Sequence, residues 1–95
     1  MKIIELDFTG CKYLYEIHER IQTAFCFDDG YGRNWNAFWD LLWSECDADR
    51  VDITGEDGLP ENLKNDLEKM HEVLDDNIAF RKDHNLSDFS YQIIN

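Results

Sequence analysis

Basic residues are scarce in this 95-residue chain: 9 Lys plus Arg stand against 21 Asp plus Glu, for a formal charge of -12 and a sequence pI near 4.3. That scarcity argues against nucleic acid or an anionic membrane surface as partner, because phosphates are bound by Lys and Arg. The electrostatic expectation is a cationic partner. There is also no C-x-x-C pair. Cys11, Cys26 and Cys46 are an odd number at spacings of 15 and 20, which suits neither zinc nor dithiol chemistry. They read as free, buried apolar thiols, with no metal or cofactor expected and a reducing cytoplasm as the expected location. The N-terminal MKIIELDF lacks the uninterrupted apolar core of a signal peptide, and no stretch approaches the roughly 18 apolar residues of a membrane span. Repeats, low-complexity tracts and acidic runs longer than two residues are absent as well, so the charge is spread over a surface. What is present is 43% hydrophobic residues, with three Trp and six Phe, too many for a chain that cannot collapse. The length fits a single domain over residues 1–95, one that buries about 60–65% of its unfolded surface.

Periodicity places the elements. Ile4, Leu6 and Phe8 alternate with Glu5 and Asp7, a strand closed by Thr9-Gly10. Leu14, Ile17, Ile21 and Ala24 recur at helical spacing within Lys12–Phe25. Gly30 and Gly32 mark a loop over Cys26–Arg33, and Asn34 is a good N-cap for a second helix running to about Ser44. Val51 and Ile53 form a short strand followed by a turn at Gly55–Gly58. Pro60 suits the first turn of a third helix, in which Leu63, Leu67, Met70, Leu74 and Ile78 share a face. This helix ends either near Asp76 or towards His84. Phe89, Tyr91 and Ile93 make the closing strand. Strands separated by helical crossovers predict an α/β fold, a small three-stranded parallel sheet flanked by helices.

The second helix breaks the ordinary amphipathic pattern. On a helical wheel Trp35, Ala37, Phe38, Trp39, Leu41 and Leu42 cover an arc of roughly 200°, so most of it is expected to be buried. The remaining sector carries Asn36, Asp40 and Ser44 one turn apart, bordered by Trp43 and Ala37. A carboxylate on a narrow ridge of an anchored helix suits recognition, since docking then loses little conformational entropy. Tyr31 and Trp43 are amphipathic side chains of the kind that anchor interfaces. The plainer alternative is that Asp40 and Asn36 solvate a core helix, Tyr31 covers a core edge and the glycines serve turn geometry.

Tyr31, Gly32, Asn34, Ala37, Trp39 and Asp40, followed by Leu-Leu, match the pattern Y-G-x-N-x-x-A-x-W-D, and here the chain resembles the barstar family, bacterial intracellular inhibitors of barnase-type secreted ribonucleases. The resemblance extends more weakly over the order of strands and helices along most of the chain. It implies a small parallel sheet flanked by helices, with the second helix and its preceding loop entering the nuclease active site and Asp40 at the phosphate position. No catalysis is implied. The partner-facing residues expected on this reading are Tyr31, Gly32, Arg33, Asn34, Asn36, Ala37, Asp40, Trp43, Ser44 and, on the later helix, Asp75 or Asp76, with Asp76 preferred. The partner is a basic, barnase-like ribonuclease bound one-to-one by a monomer.

The chain departs from the family pattern at three points. Asn36 replaces a second acid one turn before Asp40, Gly30 replaces an aromatic before Tyr31, and Arg33 brings a positive charge into the loop. These leave open an immunity protein against a different nuclease toxin. Rival readings are weaker. His18 borders the apolar face of the first helix as a packed or edge histidine, while His71 and His84 read as surface residues with no convincing catalytic grouping. Asp47, Asp49, Asp52, Glu56 and Asp57 lack the spacing of a calcium loop and read as a solvated surface. A nucleic-acid mimic would use many acids diffusely rather than Asp40 alone.

Overall fold

The computed structural model describes residues 1–94, which form β1 (Ile3–Asp7), α1 (Leu14–Phe25), α2 (Trp35–Ser44), β2 (Arg50–Thr54), α3 (Lys64–Asp83) and β3 (Ser90–Ile94). Two 3-10 turns, Glu56–Gly58 and Glu61–Leu63, lie between β2 and α3. α1 begins where the Glu16 carboxylate folds back to accept the backbone N–H groups of Lys12 (2.9 Å) and Tyr13 (3.1 Å). It ends at Cys26, whose φ of 59° is the left-handed conformation that commonly closes a helix.

β1 pairs with β2 and β2 with β3, both parallel, in the order β1-β2-β3. Each crossover therefore steps one strand in the same direction. Right-handed crossovers taken twice in one direction deposit all the connecting helices on one face of the sheet. Burial follows that rule: Ile4, Leu6, Val51 and Ile53 are buried beneath the helices, while Ile3, Glu5, Asp7, Ser90, Gln92 and Ile94 on the reverse face are exposed. The α/β fold with a three-stranded parallel sheet and flanking helices is thus the one the sequence predicts. Its core includes Phe8, Ile17, Ile21, Phe38, Leu42, Val51, Ile53, Met70 and Leu74, each at most 1% exposed and each contributing about 1.5–3 kcal/mol by leaving water. Among the described residues no helix is long and apolar enough to cross a membrane.

Arg81 fixes α2 to α3. It is 4% exposed, and its guanidinium donates to Asn77 Oδ1 (2.8 Å), Ser87 Oγ (3.0 Å) and the carbonyls of Leu42 and Cys46 (3.0 Å each). Those two carbonyls belong to the C-terminal end of α2 and the turn after it, where the helix dipole is negative and a cation is favoured. The neighbouring Asn77 Nδ2 is buried and has no hydrogen-bond partner among the described residues.

The structure corrects several expectations. Pro60 lies outside the third helix: a 3-10 turn intervenes and α3 starts at Lys64, then runs the longer course to Asp83. Glu56 is not on a solvated surface but buried, and His71 is half-buried, with Nε2 2.9 Å from Glu56 Oε2. The reason is the turn before it. Gly55 has φ 83° and passes so close to the end of β1 that a Cβ would lie 2.5 Å from the Thr9 nitrogen, which folds the chain back onto α3. A buried carboxylate is tolerated there because it is paired. Glu56 in turn raises His71 above its ordinary value of 6.5, against the opposing effect of burial. Finally, the three cysteines are free but not all buried: Cys26, placed at the end of α1, is exposed. Burial pushes the Cys11 and Cys46 thiols up, away from thiolate chemistry.

Candidate functional site

The loop before α2 is held by its own polar atoms. The Asp28 carbonyl accepts from the Tyr31 N–H (3.1 Å) and from Gln22 Nε2 (3.0 Å), while Asp28 Oδ1 accepts from the Gly30 N–H (2.8 Å). Arg33 sits at φ 53°, a left-handed conformation unusual for a side chain of its size, and its guanidinium reaches back to Gln22 Oε1 at 3.3 Å. Arg33 thereby spends its charge beside α1 on a neutral amide.

Asn34 caps α2 as its spacing predicts: Oδ1 accepts from the Ala37 N–H at 2.8 Å, and Nδ2 donates to the Gly32 carbonyl at 3.2 Å. A Cβ on Gly32 would lie 3.1 Å from Asn34 Nδ2 and 3.4 Å from the Ala37 Cβ. Gly32, Asn34 and Ala37 therefore form one tightly fitted unit that sets the angle at which α2 leaves the loop.

Tyr31, read either as an interface anchor or as the cover of a core edge, is only 4% exposed, with its phenol oxygen 2.7 Å from His18 Nδ1 and its ring 5.4 Å from that of Phe27. The core-edge alternative is the one the structure takes, because the tied loop turns the ring inward over α1. His18 is 2% exposed, and its ring packs 4.5 Å from Trp35. Desolvation lowers its proton affinity below the ordinary 6.5 and raises that of the Tyr31 phenol, so both groups are held neutral.

α2 is also less enclosed than its composition suggests. Only Phe38 and Leu42 are fully buried, while Trp35, Ala37, Trp39 and Leu41 are half-buried. α3 supports one flank of α2, and Phe25 and His18 of α1 pack against its Phe38 and Trp35, which leaves the remaining face open to solvent at its exposed residues. The ridge stands on that face. Asn36, Asp40 and Ser44 are all exposed at one-turn spacing. Ser44 Oγ donates to the Asp40 carbonyl (2.6 Å), so that hydroxyl is engaged with its own helix. Among the described residues the Asp40 carboxylate has no hydrogen-bond or ion-pair partner, whereas Lys2–Asp47 and Arg50–Asp52 are paired.

On α3 the two candidate acids separate. Asp75 accepts from the Tyr91 hydroxyl at 2.8 Å and belongs to the β3 side. Asp76 is exposed and stands one turn before Phe80, whose ring lies 5.6 Å from both Trp39 and Trp43 of α2. Asp76, rather than Asp75, thus shares the flank of α2. Sequence reading missed His18, Phe80 and Arg81 as parts of this region. Their partners across the region lie 13 to 41 residues away, and only the cationic residue in the last turn of α3 carried a local cue.

Each histidine is engaged: His18 with Tyr31, His71 with Glu56, and His84 Nδ1 with the Phe80 carbonyl. The arrangement offers a rigid carboxylate, unpaired among the described residues, on a helix held at both ends. No curated protein sequence matches the chain. The family model described as Barstar (barnase inhibitor) matches residues 1–91, and with the parallel sheet, the capped second helix and the exposed Asp40 now in place, the chain belongs to the barstar family.

Proposed function

We propose that this chain inhibits a basic, barnase-type ribonuclease by one-to-one occlusion, acting in the cytoplasm as a single monomeric domain over residues 1–95. The family supports a barnase-inhibitor-like role. The single observation that carries the mode of binding is the Asp40 carboxylate, exposed and unpartnered on a helix fixed by Asn34 at one end and Arg81 at the other. A ribonuclease cleft gathers cationic side chains around a phosphate, and a rigid carboxylate accepts the same charge-assisted hydrogen bonds. Because α2 is already ordered, little entropy is lost when those bonds form.

Asn36, Trp43 and Asp76 flank Asp40 and contact the rim of the cleft. Gly32, Asn34 and Ala37 position the helix, with Gly32 and Arg33 offering backbone to the partner. Ser44 lies at the far end of the ridge, and Tyr31 supports the loop from within. The charge of -12 steers a cationic enzyme inward, an effect for which the barnase–barstar pair is itself a reference case. The test is a titration of barnase activity on RNA. Occlusion predicts competitive inhibition that reaches its end point at one equivalent; a fractional end point or inhibition independent of substrate rejects it. Inhibition of a different nuclease toxin, with barnase unaffected, would assign the immunity role instead.

A further inference from the structure

Phe80 is the centre of an aromatic group that bridges α2 and α3. Its ring lies 5.6 Å from Trp39 at 82°, 5.6 Å from Trp43 at 52° and 4.2 Å from His84 at 29°. Trp39 is half-buried beneath, but Trp43 is 45% exposed, a large apolar area to leave in water. The border of this surface is anionic. Asp40 precedes Trp43 by three residues on α2, Asp76 precedes Phe80 by four and Asp83 follows it by three on α3, all three exposed and, among the described residues, without an ion pair. His84 adds a ring nitrogen. Its Nδ1 donates to the Phe80 carbonyl at 2.9 Å, and its Nε2 has no hydrogen-bond partner among the described residues.

An exposed indole beside a half-buried aromatic group, bordered by carboxylates without an ion pair among the described residues, selects among occupants. An apolar partner would strip water from three acids and give them nothing in return. An anion is repelled. A cation gains from the ring quadrupole and the carboxylates together. Of the two cationic side chains, the planar guanidinium stacks on a ring while its N–H groups stay free in plane for carboxylates and His84 Nε2, which a compact ammonium cannot do. We propose that the Trp43–Phe80–His84 surface is a second subsite of the interface, which receives an arginine side chain of the protein partner, with Phe80 and His84 as specificity-determining residues. The identity of that partner as a nuclease rests on the reading above; the arginine chemistry does not.

Two measurements test it. In the first, barnase inhibition is compared for Trp43→Ala, His84→Lys and Glu5→Lys, the last a charge change on the open face of the sheet. The subsite predicts an inhibition constant about 10-fold weaker for Trp43→Ala, and for His84→Lys a loss about 5-fold beyond that of Glu5→Lys. If Asp40→Ala abolishes inhibition while Trp43→Ala and His84→Lys act no more strongly than Glu5→Lys, the subsite is overturned and the inhibitor reading stands. In the second, a tetra-arginine peptide is titrated into the wild-type protein and followed by NMR. The expected result is shifts focused on the Trp43 indole N–H and the His84 ring, weaker with tetra-lysine and lost in Phe80→Leu. Shifts spread evenly over the acidic surface, or identical for the two peptides, overturn the proposal even if barnase is not inhibited at all.

Discussion

Asp40 and Tyr31 stand nine residues apart in one signature and meet opposite fates. Asp40 is legible because its exposure depends only on helical spacing within α2, where six apolar neighbours claim the other directions. Tyr31 is not, because its burial depends on His18, a residue of another helix, and on a loop tied by Asp28. Tyr31→Phe should therefore lower stability by about 1–2 kcal/mol through the unsatisfied His18 nitrogen, seen as a lower denaturation midpoint, while the inhibition constant of the folded protein changes little. Lost inhibition at unchanged stability would place the phenol in the interface instead. His71 gives a pH prediction. Its proton affinity is raised by Glu56, so the pair stabilises the fold fully below the ordinary value of 6.5 and loses that contribution as pH rises through the folded-state value. The stability difference between wild type and His71→Gln should thus shrink as pH is raised above the ordinary 6.5 and through the raised folded-state value. A difference constant with pH would mean that the pair is not charged. Nothing local in the sequence announces this pair, since the fold brings Glu56 to His71 only through the close passage of Gly55 against β1.

At the scale of elements, α2 is held from both ends. Its N-cap was readable from Asn34, and its C-terminal restraint was not, because Arg81 reaches its carbonyls across 39 residues of sequence. The over-reading of α2 as mostly buried has the same source: apolar composition reports what a helix could bury, while the number of neighbours decides what it does bury. The first turn of α2 carries no acid, although the helix dipole favours one there. Asn36→Asp should raise stability by about 0.3–1 kcal/mol through the dipole and also place a second carboxylate one turn before Asp40. Tighter inhibition of barnase together with a higher melting temperature is the expected pair of results. A gain in stability with weaker inhibition would mean that the partner's cleft presents an acceptor, not a cation, opposite position 36.

At the scale of the whole molecule, the three strands and their helical crossovers were readable from periodicity, and with them the parallel sheet. The uneven covering of that sheet was not, since it follows from strand order and crossover hand together. Charge divides in the same way. The total of -12 was legible and gives the expectation of a cationic partner; which acids are paired depends on the fold, which brings together Lys2–Asp47, Arg50–Asp52 and His71–Glu56. On the proposed function, most acids form a diffuse field that governs association and salt dependence, and Asp40 acts in the bound state. Asp40→Asn keeps the shape of the ridge and removes one charge of many, so its effect on barnase inhibition separates the two. The prediction is an inhibition constant at least about 100-fold weaker, as expected for a carboxylate lost from a desolvated ion pair, carried by faster dissociation at an unchanged melting temperature. An inhibition constant equal to that of the wild-type protein would contradict it.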